Sequence, residues 1–75
     1  MNGTGEPARE REEAFALIEA AREPADLFGA ASEAGRRYRR LARLVHPDAN
    51  PADARAAAAF ARLADLWQRR QGRRP

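Results

Sequence analysis

Arg36-Arg37-Tyr38-Arg39-Arg40-Leu41-Ala42-Arg43-Leu44-Val45 runs directly into His46-Pro47-Asp48. At 3.6 residues per turn, Ala34, Leu41, Ala42 and Val45 fall on the Tyr38 side of a helix, and Arg36, Arg39, Arg40 and Arg43 gather on the other. Leu44 and Arg37 sit on the seam. One face is suited to burial and the other is dense positive charge. Pro47 ends the helix, because its ring disfavours helical backbone at the residue before it and it has no N–H to donate. His46 is therefore expected to be extended at the helix end, with Asp48 two residues on.

Upstream of this stretch, Met1 to Glu6 holds two glycines and reads as a disordered leader. Pro7 suits the first position of a helix, and Glu10, Glu12 and Glu13 lie in its early turns, where the helix dipole favours carboxylates. Ala14, Phe15, Leu17, Ile18 and Ala21 form its apolar side, Glu12, Glu19 and Glu23 its polar side, and Pro24 closes it. Ala25 to Ala31 is a connector in which Leu27 and Phe28 plug the end of the helical pack and Gly29 lets the chain reverse. Ser32 is the expected N-cap of the second helix.

Downstream, either Asn50 caps a helix whose first residue is Pro51, or Asp53 caps one that begins just after it. This third helix places Ala56, Ala57, Phe60, Leu63, Ala64 and Trp67 on one face and Arg55, Arg62, Asp65 and Arg69 on the other. Tyr38, Leu41, Phe60, Leu63 and Trp67 are expected in the core. Gln71 to Pro75 ends the helix and has the composition of a tail or the start of a linker.

A chain of 75 residues allows one small domain, here residues 7–70. Aromatic residues make up only 7% of it, so its core must be built mostly from Ala and Leu. Thr4, Ile18 and Val45 are the only β-branched residues, which argues against strands and for an all-α fold. With no cysteine, disulfides and thiolate metal sites are excluded. No apolar run approaches the roughly 18 residues of a membrane span, and the polar N-terminus is no secretory signal. A cytoplasmic protein that does not engage membranes is the default expectation.

Catalysis fails on supply. The hydroxyls of Thr4 and Ser32 lie far in sequence from His46, the one histidine. That histidine with Asp48 offers too few ligands for a metal, and no glycine-rich phosphate loop occurs. No enzyme, cofactor or metal is expected. The net charge of +3 is modest, yet all 14 basic residues are arginine, and they crowd the second helix and the tail. Arginines spaced three and four apart repel by a few tenths of a kcal/mol per pair. With no carboxylate interleaved on that face, a binding role is favoured over a merely solvated surface. The partner is expected to be an acidic protein or a nucleic acid.

The residues of the second and third helices resemble the J-domain of DnaJ-type co-chaperones. In that family a helix of the form Tyr-Lys-Arg-Leu-Ala precedes His-Pro-Asp, and an aromatic-anchored helix follows the loop. Tyr38-Arg39-Arg40-Leu41-Ala42 matches the first, and Phe60, Leu63 and Trp67 match the second without insertion or deletion. The likeness covers Ser32 to Gln68, about half of the chain. It implies an antiparallel hairpin of the second and third helices with the first packed across it. It also implies a monomeric module that docks on a DnaK-type, seventy-kilodalton heat-shock chaperone and stimulates its ATP hydrolysis. His46, Pro47 and Asp48 would be the activating loop, and Arg36, Arg39, Arg40 and Arg43 the docking face. The chain departs from the pattern at Ala49, where the family usually has a basic residue, and in lacking an Asp-Tyr-Tyr opening, for which Phe15 to Ile18 would substitute. No fourth helix and no substrate-binding region is expected. Two other readings stand beside this one: a J-like adaptor that binds without stimulating, and a three-helix nucleic-acid binder. The scarcity of Asn and Gln on the arginine face disfavours the second, since these side chains read base edges.

Overall fold

The computed structural model describes residues 5–72, which form four helices and no strand. They are α1 (Gly5–Ala20), α2 (Pro24–Phe28), α3 (Ala31–Val45) and α4 (Arg55–Arg70). The fold is all-α, as the near-absence of β-branched residues implied. The expected leader and tail lie partly outside the described residues, at 1–4 and 73–75. Within them, α1 begins at Gly5, two residues ahead of Pro7.

The stretch expected to be a mere connector contains a helix of its own. Pro24 does not close α1, which already ends at Ala20 with three residues between; instead it opens α2, because a proline's fixed φ and missing N–H suit a first turn. The Asp26 carboxylate reaches back to accept the backbone N–H groups of Arg22 (2.9 Å) and Glu23 (3.2 Å). Those bonds, the one from Arg22 foremost, hold the Asp26 pKa below its ordinary value. Gly29 then turns the chain at φ +62° and ψ −138°, a conformation that essentially only glycine adopts. Ala30 rather than Ser32 stands at the N-cap of α3, with no side-chain cap bond, because this reversal delivers the chain to the helix two residues early.

Helices α3 and α4 run antiparallel. Tyr38 stacks on Trp67, with ring centroids 4.5 Å apart, while His46 meets Phe60 edge-on at 4.9 Å. As α3 advances, its partners on α4 recede. Helix α1 packs against both members of this pair, and so does α2. The core lies where the four meet: Phe28, Ile18, Leu63, Leu66 and Val45 are fully buried. Phe28 drives its ring edge-on toward both Tyr38 (6.3 Å) and Trp67 (5.2 Å), so α2 plugs the open end of the pair.

Three expectations about the core need correcting. Ala57, placed on the apolar face of its helix, is exposed, because it points about a third of a turn away from the buried Ala56, Leu63 and Leu66. Leu17 is 53% exposed although Ala14, Phe15, Ile18 and Ala21 around it are buried. Its direction lies about a quarter turn from the centre of that buried arc, beyond the reach of α3 and α4. Leu66 is fully buried although only one face of its helix was assigned to the core. Helix α4 has neighbours in three directions, which widens its buried arc. Of the five residues expected in the core, Leu41 and Leu63 are buried, while Tyr38, Phe60 and Trp67 are partly buried and pack against them.

Two arginines fasten α1 to α4. The guanidinium of Arg62 donates to the carbonyls of Ile18 (3.1 Å) and Ala21, near the C-terminal end of α1, where carbonyls lack helical partners. Arg55 pairs with Glu12 (2.7 Å) and Asp53 (2.6 Å) and lies 4.1 Å over the ring of Phe15. Its hydrogen bonds lower the pKa of Glu12 and hold Asp53 down at about 2, while the two carboxylates, Glu12 first, raise that of Arg55. Neither capping alternative holds as expected: Ala54 stands at the N-cap of α4 with no side-chain cap bond, while Asp53, one residue earlier, accepts the backbone N–H of Arg55 at 2.9 Å.

Candidate functional site: the His-Pro-Asp turn and the arginine face

His46 sits at the C-cap of α3 with φ −59° and ψ 136°, extended as a residue before proline should be. The chain then makes a tight turn. The carbonyl of His46 accepts the N–H of Ala49 (3.0 Å) and of Asn50 (3.1 Å), and that of Pro47 also accepts from Asn50 (3.1 Å). Proline is well placed inside such a turn because its φ is preset. The Asp48 N–H donates to Nδ1 of His46 at 3.0 Å. That bond requires an unprotonated Nδ1, so the neutral ring carries its proton on Nε2.

His46 and Asp48 differ sharply in environment. His46 rests its ring on Phe60, and its side chain is 43% exposed. Asp48 has no packing partner of that kind, and its side chain is 96% exposed. Its carboxylate stays 3.9 Å from His46 Nδ1. The turn thus presents one free carboxylate on a backbone that is pinned at both ends.

Asn50 does the pinning, and the sequence signal for it was misread. It was one of two candidate caps for the helix that follows. Instead its side chain turns back to the helix before: Nδ2 donates to the carbonyls of Leu44 and His46, each at 2.9 Å. It is 7% exposed and is the only buried polar residue among those described. An Asn placed a few residues after a proline-terminated helix was the available clue.

On α3, Arg36, Arg37, Arg39, Arg40 and Arg43 are all exposed, opposite the buried Ala34, Leu41 and Val45. The helical wheel therefore placed this face correctly. Its charge is less isolated than it looked in the sequence. Glu10 of α1 pairs with Arg40 at 3.3 Å, and Glu33 pairs with Arg37 at 3.0 Å one turn away. Exposed pairs of this kind contribute at most about 1 kcal/mol each, so they moderate the field without abolishing it. Arg36, Arg39 and Arg43 have no carboxylate partner among the described residues.

Among the described residues no three His, Cys, Asp or Glu side chains come together as a metal site. No helix among them is long and apolar enough to cross a membrane. Comparison with protein-family models, with curated proteins and with solved structures gave no match.

Proposed function

We propose that this chain is a J-domain-like co-chaperone module that docks on a DnaK-type chaperone and stimulates its ATP hydrolysis, without being an enzyme itself. The observation that carries this reading is the Asp48 carboxylate, almost wholly exposed on a hydrogen-bonded turn at the end of the α3–α4 pair. A carboxylate so presented is able to accept a charge-assisted bond from an arginine of the ATPase. Pro47 fixes the angle of presentation, and the His46 ring braces the turn against Phe60. Arg36, Arg39, Arg40 and Arg43 would steer the encounter with an acidic groove, an effect that weakens with salt. The loop acts allosterically: it favours one arrangement of the ATPase and touches no phosphate.

Single-turnover ATP hydrolysis by a DnaK-type chaperone, with and without the full chain, tests this. Asp48→Asn is expected to remove stimulation while circular dichroism and melting stay unchanged, because that side chain is 96% exposed. His46→Gln is expected to remove stimulation too, with a lower melting point because the ring's contact with Phe60 is lost. Charge reversal at Arg39 and Arg40 is expected to weaken binding, most at low salt. Loop variants that stimulate as well as the parent would overturn the assignment. Binding without raised turnover would mark an adaptor instead.

A further inference from the structure

We infer that Asn50 is a positioning residue for the His46-Pro47-Asp48 turn: it sets the angle at which Asp48 is presented without meeting the partner itself. The reasoning begins with orphaned carbonyls. A helix leaves its last C=O groups unpaired, and Pro47, lacking an N–H, cannot supply the next bond. The amide of Asn50 supplies a bond to Leu44 O and adds a third donor to His46 O, which already accepts the N–H groups of Ala49 and Asn50, from a site only 7% exposed. Its backbone N–H adds bonds to His46 O and Pro47 O. The chain segment carrying Asp48 is therefore tied at its departure from α3 and at its return by one residue.

Of asparagine, aspartate, serine and alanine, only asparagine can serve both partners. All the side-chain partners are acceptors, so the side chain must donate twice from one nitrogen. Aspartate would bring a negative charge against two carbonyls at the negative end of the α3 dipole. Serine has a single proton to give, and alanine none. Without the amide, the turn keeps only the backbone bonds and the Asp48 N–H bond to His46.

As a claim about presentation to a chaperone, this rests on the function proposed above; as a claim about the turn, it does not. The test therefore has two arms, applied to the full chain and to Asn50→Asp, Asn50→Ala and Asn50→Ser. In the first arm, amide hydrogen exchange by NMR is expected to quicken by about tenfold at Asp48, Ala49 and position 50 in the Asp and Ala variants, and by less in Ser. Amides in the middle of α4 provide the reference. In the second arm, the plateau of stimulated ATP hydrolysis at saturating co-chaperone is expected to fall about tenfold in Asn50→Asp, while the half-saturating concentration stays within about twofold. Lost stability alone would do the reverse: a smaller folded fraction raises the half-saturating concentration and leaves the plateau intact.

Unchanged exchange in the turn, or an Asn50→Asp plateau equal to that of the parent, would overturn the inference. If the parent chain itself fails to stimulate, the co-chaperone reading falls, and the exchange arm alone decides whether Asn50 holds the turn. Should Asn50→Asp not fold, Asn50→Ser carries both arms with one donor retained.

Discussion

Phe28→Ala should come close to unfolding this domain. The ring is fully buried and meets Tyr38 and Trp67 edge-on, and those two side chains are stacked on each other. A stacked pair resists collapsing into a void, so the cost should lie within the upper part of the roughly 3–5 kcal/mol span for a buried Phe→Ala change. Against this stands a total stability of about 4–11 kcal/mol, at roughly 0.05–0.15 kcal/mol per residue. A loss of about 4 kcal/mol corresponds to a melting point lower by about 16–32 °C in a domain of this size. Phe28→Leu separates filling from aromatic contact: it keeps most of the apolar volume, loses the ring edges, and should cost about 1 kcal/mol. Thermal melts followed by far-ultraviolet circular dichroism read both variants. An alanine variant melting within about 5 °C of the parent would show that α2 is no plug.

Acid should weaken the junction of α1 with α4. Glu12 and Asp53 have lower pKa values folded than unfolded because Arg55 bonds both, so their contribution is complete above the ordinary values of 4.5 and 3.8 and is lost as pH falls toward about 2. The melting point should therefore drop across that window, and Arg55→Gln should flatten the drop; an identical slope in the variant would refute the assignment. Gly29→Ala should cost about 1–3 kcal/mol from backbone strain at φ +62°, since the added Cβ meets only the Arg37 guanidinium at an ordinary 3.5 Å. A denaturant midpoint equal to that of the parent would show that the reversal at Gly29 is not fixed.

What could be read in advance depended on how far apart the interacting residues are. The two faces of α3 were legible because a helix repeats its environment every few residues, and Ala34, Leu41 and Val45 share one side. Helix α2 was hidden because five residues are too few to display a period, and Pro24 signals an ending as readily as a beginning. Leu17 is wrongly expected in the core and Leu66 is left out of it for one reason: a wheel shows which residues share a face but not how many neighbours surround the helix. The pairing of Arg40 with Glu10 joins two different helices and leaves no trace in local spacing. At the turn, the extended backbone of His46 followed from Pro47 alone, whereas the backward reach of Asn50 depended on where the loop returns.

The tie between Arg62 and α1 has a consequence for the order of events at the ribosome. Its guanidinium closes on the carbonyl of Ile18, 44 positions earlier in the chain. At roughly 5–20 residues per second, synthesis takes about 2–9 s to cover that interval. Throughout it the nascent first segment has to wait with its terminal carbonyls hydrated, since the group that will cover them has yet to be translated.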